Sequence, residues 1–168
     1  LEVGEVDLAD ILDQILILVA VQAEQLGVAI IREPHDRGLL VRGDSRQLKQ
    51  VFLNLLLNAL QAMPDGGTLT VSLGRVRSGL THQGPPWALV TIADTGVGIP
   101  PDQLDKIFDP FFTTKREGTG LGLSVSYWIV QRHDGELDLA SEPGKGTVVS
   151  VRLPLAPALN TAVADLAP

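Results

Sequence analysis

The chain has 168 residues, 45% of them apolar, and a formal net charge of -7. That length and composition suit one domain with a sizeable core, plus at most a tail. The lack of cysteine excludes a disulfide framework and a thiolate metal site, and the acidic balance, with no basic run beyond Lys115-Arg116, argues against nucleic acid as a ligand. The densest apolar run, Ile11 to Val21, is broken at Asp13 and Gln14 and is too short to span a bilayer, and no signal peptide is recognisable.

In chain order, Asp7 is placed to cap a helix from about Leu8 to Leu26, which Gly27 ends. Leu8, Ile11, Leu12, Ile15, Val19 and Leu26 form its core face. Ile17, Leu18 and Val21 widen that face, which suits either deep burial or a contact with another domain. Val28–Arg32 and Leu39–Arg42 read as short strands joined by a polar turn through Pro34 and Gly38. Asp44 caps a second helix to about Met63, with Leu48, Val51, Phe52, Leu55, Leu56 and Ala59 on its apolar face. Pro64-Asp65-Gly66-Gly67 ends it. Leu69, Val71 and Leu73 alternate with Thr68, Thr70 and Ser72, the pattern of a half-buried strand. After a polar loop, Arg77–Pro86, its partner strand Trp87–Ala93 runs into Asp94-Thr95-Gly96-Val97-Gly98-Ile99-Pro100.

A short helix around Gln103–Phe108 and an irregular polar loop precede a third long helix, Leu121–His133, which points Val125, Trp128 and Ile129 at the core. Glu136–Ala140 and Thr147–Leu153 form a last hairpin around Pro143-Gly144-Lys145-Gly146. From Pro154 the chain is rich in Ala and Pro, so the domain is expected over 1–153. A tail over 154–168 is expected to be loosely ordered or a short docked helix. The order α, β-β, α, β-β, loop, α, β-β predicts an α/β two-layer sandwich. Its sheet is mixed and largely antiparallel, with three main helices on one face. A doubly wound parallel sheet needs a helix between nearly every pair of strands, and those are missing.

Several stretches carry chemistry. Gly118-Thr119-Gly120-Leu121-Gly122-Leu123 leaves backbone N–H groups uncovered just where a helix begins, a combination that suits polyphosphate but also describes an ordinary turn. Asn54 and Asn58 lie four apart on an apolar helix and so point the same way. Amide oxygens of this kind suit Mg²⁺, or else satisfy loop backbone groups. Asp94, followed by Gly96 and Gly98, can accept a hydrogen bond from an exocyclic amine such as adenine's, or simply open an Asp-x-Gly turn. Phe108-Asp109-Pro110-Phe111-Phe112-Thr113-Thr114-Lys115 sets three aromatics beside a cationic segment. Phe108 can anchor a lid, and Lys115 and Arg116 can meet phosphate oxygens. Gly144-Lys145-Gly146-Thr147 is no Walker loop, since a strand follows it. His133, beside Asp134 at a helix end, reads as a C-terminal cap.

Taken together and in this order, Asn54…Asn58, Asp94–Ile99, Phe108…Phe112, Gly118–Leu123 and Gly144–Thr147 resemble the N box, first glycine box, F box, second glycine box and third glycine box of sensor histidine kinases, over roughly residues 7–153. The style of Gln50–Met63 and Thr113–Val130 is similar to the nitrogen-regulation type. The resemblance implies the Bergerat-type ATP-binding sandwich shared with gyrase-like ATPases, using ATP and Mg²⁺. It implies Asn58 as the Mg²⁺ ligand, Asn54 beside the phosphates and Asp94 on the adenine amine. Gly96, Gly98 and Ile99 would shape the pocket and Thr147 would support the adenine edge. Phe108, Thr114, Lys115, Arg116, Gly118, Thr119, Gly120, Leu121, Gly122 and Leu123 would belong to the ATP lid and its anchor. Asn54, Asn58 and Lys115 would assist catalysis.

Gln61 stands where many relatives carry Lys, so the resemblance implies one phosphate contact that is either weaker or supplied by Lys115 or Arg116; His133-Asp134-Gly135 departs from the common His-Gly-Gly. Gyrase-like ATPases have Glu at the place of Asn54, as base for the attacking water; an amide cannot take that proton. The resemblance therefore implies a cytoplasmic catalytic half, monomeric as this fragment. It would deliver the γ-phosphoryl group to a histidine on a dimerisation hairpin that this chain lacks, with a response regulator downstream. The competing readings are a gyrase-like ATPase fragment, an anti-sigma-type Ser/Thr kinase, and a nucleotide-responsive module without transfer activity.

Overall fold

A computed structural model describes residues 2–36, 38–77, 86–112 and 120–157. The elements are β1 (Val3–Asp7), α1 (Leu8–Gln25), β2 (Val28–Arg32), β3 (Leu40–Asp44), α2 (Ser45–Gln61), β4 (Gly67–Arg77), β5 (Pro86–Asp94), α3 (Pro101–Leu104), α4 (Gly122–Arg132), β6 (Glu136–Glu142) and β7 (Gly146–Pro154).

The main sheet has five strands in the order β2-β4-β5-β7-β6. β2 runs parallel to β4, and every other neighbour is antiparallel. Strict alternation builds one inward face: Leu69, Val71 and Leu73 of β4, Ala88, Val90 and Ile92 of β5, and Val149, Val151 and Leu153 of β7 are all buried. The helices cover that face, with α2 between α1 and α4. Phe52 is fully buried at the centre of α2.

Both long N-terminal helices start as their caps dictate. The Asp7 carboxylate accepts the Ala9 N–H at 2.8 Å, and Asp44 accepts those of Arg46 and Gln47 at 2.9 and 3.2 Å. The Gln47 and then the Arg46 N–H hold the Asp44 carboxyl below its ordinary value. His133 does cap α4. Its Nδ1 donates to the Ile129 carbonyl at 2.8 Å, which leaves Nε2 to accept the Asp44 N–H at 3.0 Å. The end of α4 is thereby fastened to the start of α2.

Four expectations are corrected. Val28–Arg32 and Leu40–Asp44 do not pair. β3 pairs instead with β1, from Val3↔Asp44 to Asp7↔Leu40, in a separate two-stranded sheet, while β2 takes the sheet edge beside β4. The second correction is Trp128, which lies 54% exposed with the Arg132 guanidinium 4.7 Å from its ring centre; Ser126, Ile129 and Val130 hold the core face of α4. The third is the helix expected around Gln103–Phe108, which is a four-residue turn of helix at Pro101–Leu104 followed by turns. Finally, the start of the expected tail is structured: Pro154 ends β7, Leu155 bridges Val41 and the Ala156 N–H donates to Leu40. Residues 158–168 lie outside the described residues. On α1, Ile17, Leu18 and Val21 are 74%, 70% and 62% exposed, so their apolar surface is not spent on this domain's core.

Candidate functional site

Three elements meet around one cleft: β5 ends at Asp94, α2 passes with Asn58 and Gln61 in its last turns, and α4 begins at Gly122. The cleft has a volume of about 450 Å³. Of the predicted residues, Asn58, Gln61, Asp94, Gly98, Ile99, Gly120, Gly122, Leu123 and Thr147 line it. Its floor is apolar, with Ile92, Val97, Ile107, Leu139 and Val149. A flat heterocycle with a polar edge fits such a surface, its faces on aliphatic carbon and its edge toward Asp94 and Thr147.

Asp94 is 8% exposed. Burial pushes its carboxyl above the ordinary value, against the opposing pull of the Gly96 and Thr147 N–H groups. The Gly96 bond measures 2.9 Å. A carboxylate offers about four lone-pair directions, so two N–H donors leave capacity for a ligand's donor.

The loop after Asp94 is fastened on both sides. Toward α2, the Val97 N–H donates to the Ala62 carbonyl at 3.0 Å. Toward the β6–β7 hairpin, the Gly144 N–H donates to Val97 at 2.8 Å and the Ile99 N–H to Ser141 Oγ at 2.8 Å. This closeness explains the glycines. A Cβ at Gly96 would run into the Ala62 carbonyl, and one at Gly98 into that of Glu142, where φ is also +71°.

At the opposite end the polar groups sit on helix termini. Asn54 does not line the cleft. Its Nδ2 donates to the Gly122 carbonyl and to the fully buried Ser126 Oγ, both at 3.4 Å, tying α2 to the first turn of α4. The F-box aromatics divide three ways. Phe108 meets the Tyr127 ring at a 42° tilt, 5.1 Å between centres, and packs against the core, Phe112 faces the cleft, and Phe111 is 75% exposed. The Phe111 N–H donates to Gly120 at 3.0 Å, joining the two boxes. Leu121 caps α4, and its carbonyl accepts from Ser124 and Val125. Thr114, Lys115, Arg116, Gly118 and Thr119 lie outside the described residues.

The sequence reading missed the apolar floor, because a strand residue facing a cleft shows the same alternation as one facing the core. It also missed Ser141, whose strand position looks like any outward polar residue.

Comparison with known proteins follows the same outline. The family model described as histidine kinase-, DNA gyrase B-, and HSP90-like ATPase matches residues 43–157. Sporulation kinase C of Bacillus subtilis is 40% identical over 149 residues, covering 88% of this chain and 33% of that protein. The nucleotide-free catalytic domain of the histidine kinase ThkA superposes with a TM-score of 0.78 at 28% identity, covering 92% of this chain and 97% of that one. ThkA in complex with the response regulator TrrA gives 0.73 at 25% identity, covering 92% and 42%. Full-length ShkA in complex with AMPPNP gives 0.78 at 26% identity, covering 94% and 32%. The chain spans a third or less of the length of the curated relatives it matches.

Proposed function

The chain belongs to the histidine kinase-, DNA gyrase B-, and HSP90-like ATPase family, and from that membership we propose that it is the catalytic, ATP-binding domain of a sensor histidine kinase. The observation that carries the reading is one cleft with two chemically distinct ends: buried acceptors on Asp94 and Thr147 over an apolar floor, and an amide-bearing helix opposite a helix start. Adenine would lie at the first end, with its exocyclic amine on Asp94. The phosphates would lie at the second, between Asn58 and the Gly120–Leu123 turn, where the positive end of α4 favours negative charge. Asn54 would act on the phosphate end through the turn it holds rather than from the cleft wall, and Lys115 and Arg116 are assigned to the phosphates from the lid sequence.

The donor set fits Mg²⁺. Among the described residues no cluster of three acidic or histidine ligands forms a protein cage. Asn58 supplies one neutral oxygen of the kind that Mg²⁺ takes alongside phosphate oxygens and water. Bound there, the ion would neutralise phosphate charge. The chain's own part is to orient the nucleotide and hold its γ-phosphoryl group for a nucleophile brought from outside. Asn54 in place of a carboxylate removes the base that would activate water. The sequence relation to a sporulation kinase, and the ThkA–TrrA complex, favour a histidine-bearing hairpin as acceptor and a response regulator downstream. No helix among the described residues is long and apolar enough to cross a membrane.

The test is transfer in trans. The domain is incubated with labelled ATP and the hairpin of its parent kinase. Acid-labile phosphate on the hairpin histidine is expected, with none on the domain itself. Acid-stable phosphate on the acceptor, or phosphate release to water without transfer, would reject the assignment in favour of a Ser/Thr kinase or an ATPase.

A further inference from the structure

Ser141 lies on β6 opposite Thr147 of β7, outside every motif recognised in the sequence. Its hydroxyl makes three contacts. It accepts the Ile99 N–H at 2.8 Å, lies 2.9 Å from the Gly146 carbonyl oxygen, and lies 2.8 Å from Thr147 Oγ1. A serine hydroxyl has one proton and two lone pairs. The Gly146 carbonyl can only accept, so the Ser141 proton goes there. One lone pair takes the Ile99 N–H. The other can then only receive the Thr147 proton. Every capacity of Ser141 is used, and the donor of Thr147 is committed to it. Thr147 Oγ1, 7% exposed on the cleft wall, therefore turns lone pairs, not a proton, toward the cleft.

We propose that Ser141 is a positioning residue that sets nucleobase specificity by fixing Thr147 as a hydrogen-bond acceptor. Asp94 is the register partner of Thr147 across β5 and β7, so the cleft edge presents two acceptors side by side. That edge matches an exocyclic amine: Asp94 takes one of its hydrogens, and Thr147 takes the other, directly or through one bridging water. A ring carbonyl at the same place would meet acceptors only, an arrangement that leaves buried polar groups unpaired. The inference rests on the adenine assignment above and adds a residue that touches no ligand.

Affinities for ATP and for ITP, which carries a carbonyl in place of the amine, are measured by calorimetry for the whole domain. Wild type should prefer ATP. In Ser141→Ala the Thr147 hydroxyl is free to turn and donate, and the ATP-to-ITP ratio should fall about tenfold. Ser141→Thr, which keeps a hydroxyl, should restore it. Thr147→Val should lower the ratio as far without touching the Ile99 loop, and it serves if Ser141→Ala fails to fold. An unchanged ratio in Ser141→Ala or in Thr147→Val overturns the proposal. Asp94→Asn separates the two levels. If it abolishes the ATP preference while the Ser141 and Thr147 variants do not alter it, the adenine assignment stands alone. If Asp94→Asn binds ATP normally, both fall.

Discussion

The two ends of the cleft are held by different kinds of structure. The end proposed for the base is sheet. Asp94 and Thr147 face each other across β5 and β7, and the adjoining loop is stitched to the hairpin by bonds of 2.8 Å from Gly144 and Ile99. The other end is made of helix termini, and the side-chain bonds from α2 to the first turn of α4 include two 3.4 Å contacts of Asn54. The contrast would suit the demands of the proposed nucleotide. A base has a fixed outline, and reading it rewards acceptors that are already in place. A polyphosphate changes length and charge during the reaction, and a helix start with loosely tied side chains can follow it.

The largest effect is expected from breaking the base end. Asp94→Asn should weaken ATP binding about a hundredfold, the loss of a charge-assisted bond in a buried site, as read by calorimetry. Since burial raises the Asp94 carboxyl above the ordinary 3.8, wild-type affinity should fall as pH falls through this raised value, and the Asn variant should lose this slope. The unliganded domain carries the opposite sign. Asp94 contributes stability when protonated, and that contribution is lost as pH rises through its folded-state pKa. Asp44 is lowered, so its contribution is full above 3.8 and is lost as pH falls through its folded-state value.

A smaller effect, confined to the second end, is expected from Asn58→Asp. Phosphoryl transfer to the hairpin should slow about tenfold, the scale of a perturbed metal site, while affinity for adenosine stays unchanged. Equal losses of adenosine and ATP binding would erase the division between the ends. Smallest is Asn54→Ala. It should lower stability by about 1 kcal/mol by leaving the buried Ser126 oxygen without its amide donor, measured by thermal unfolding, with adenosine affinity again unmoved.

Much of this was legible because local rules decided it. Asp7 and Asp44 cap helices because a carboxylate after an extended residue meets free N–H groups, whatever lies beyond. Alternation placed β4, β5 and β7 to within a few residues. What failed was non-local. β2 joins β4 in parallel across the whole of α2, and nothing in the intervening turn announces that choice. β1 stayed hidden because Glu2, Val3, Gly4 and Glu5 are exposed and carry no alternation. Trp128 was misjudged because an aromatic ring on a helix resembles a core residue, whereas here it covers an arginine on the surface. At the site, Asn58 was legible as a polar residue on an apolar helix, and Asp94 as a carboxylate followed by two spaced glycines. Ser141 was not, since its meaning lies in the hydroxyl it faces across the strand.

The Asp94–Thr147 register pair also governs how recognition can be lost. Both residues sit on the inward side of their strands, in the same series as Ile92 and Val149. A slip of one position between β5 and β7 would turn a whole series outward, acceptors and core together. Half-correct versions of this edge are therefore excluded by the pleat itself. The proposed base reading and the packing of the sheet would form one cooperative unit, so drift along the strands is held in check by the same burial that keeps the domain folded.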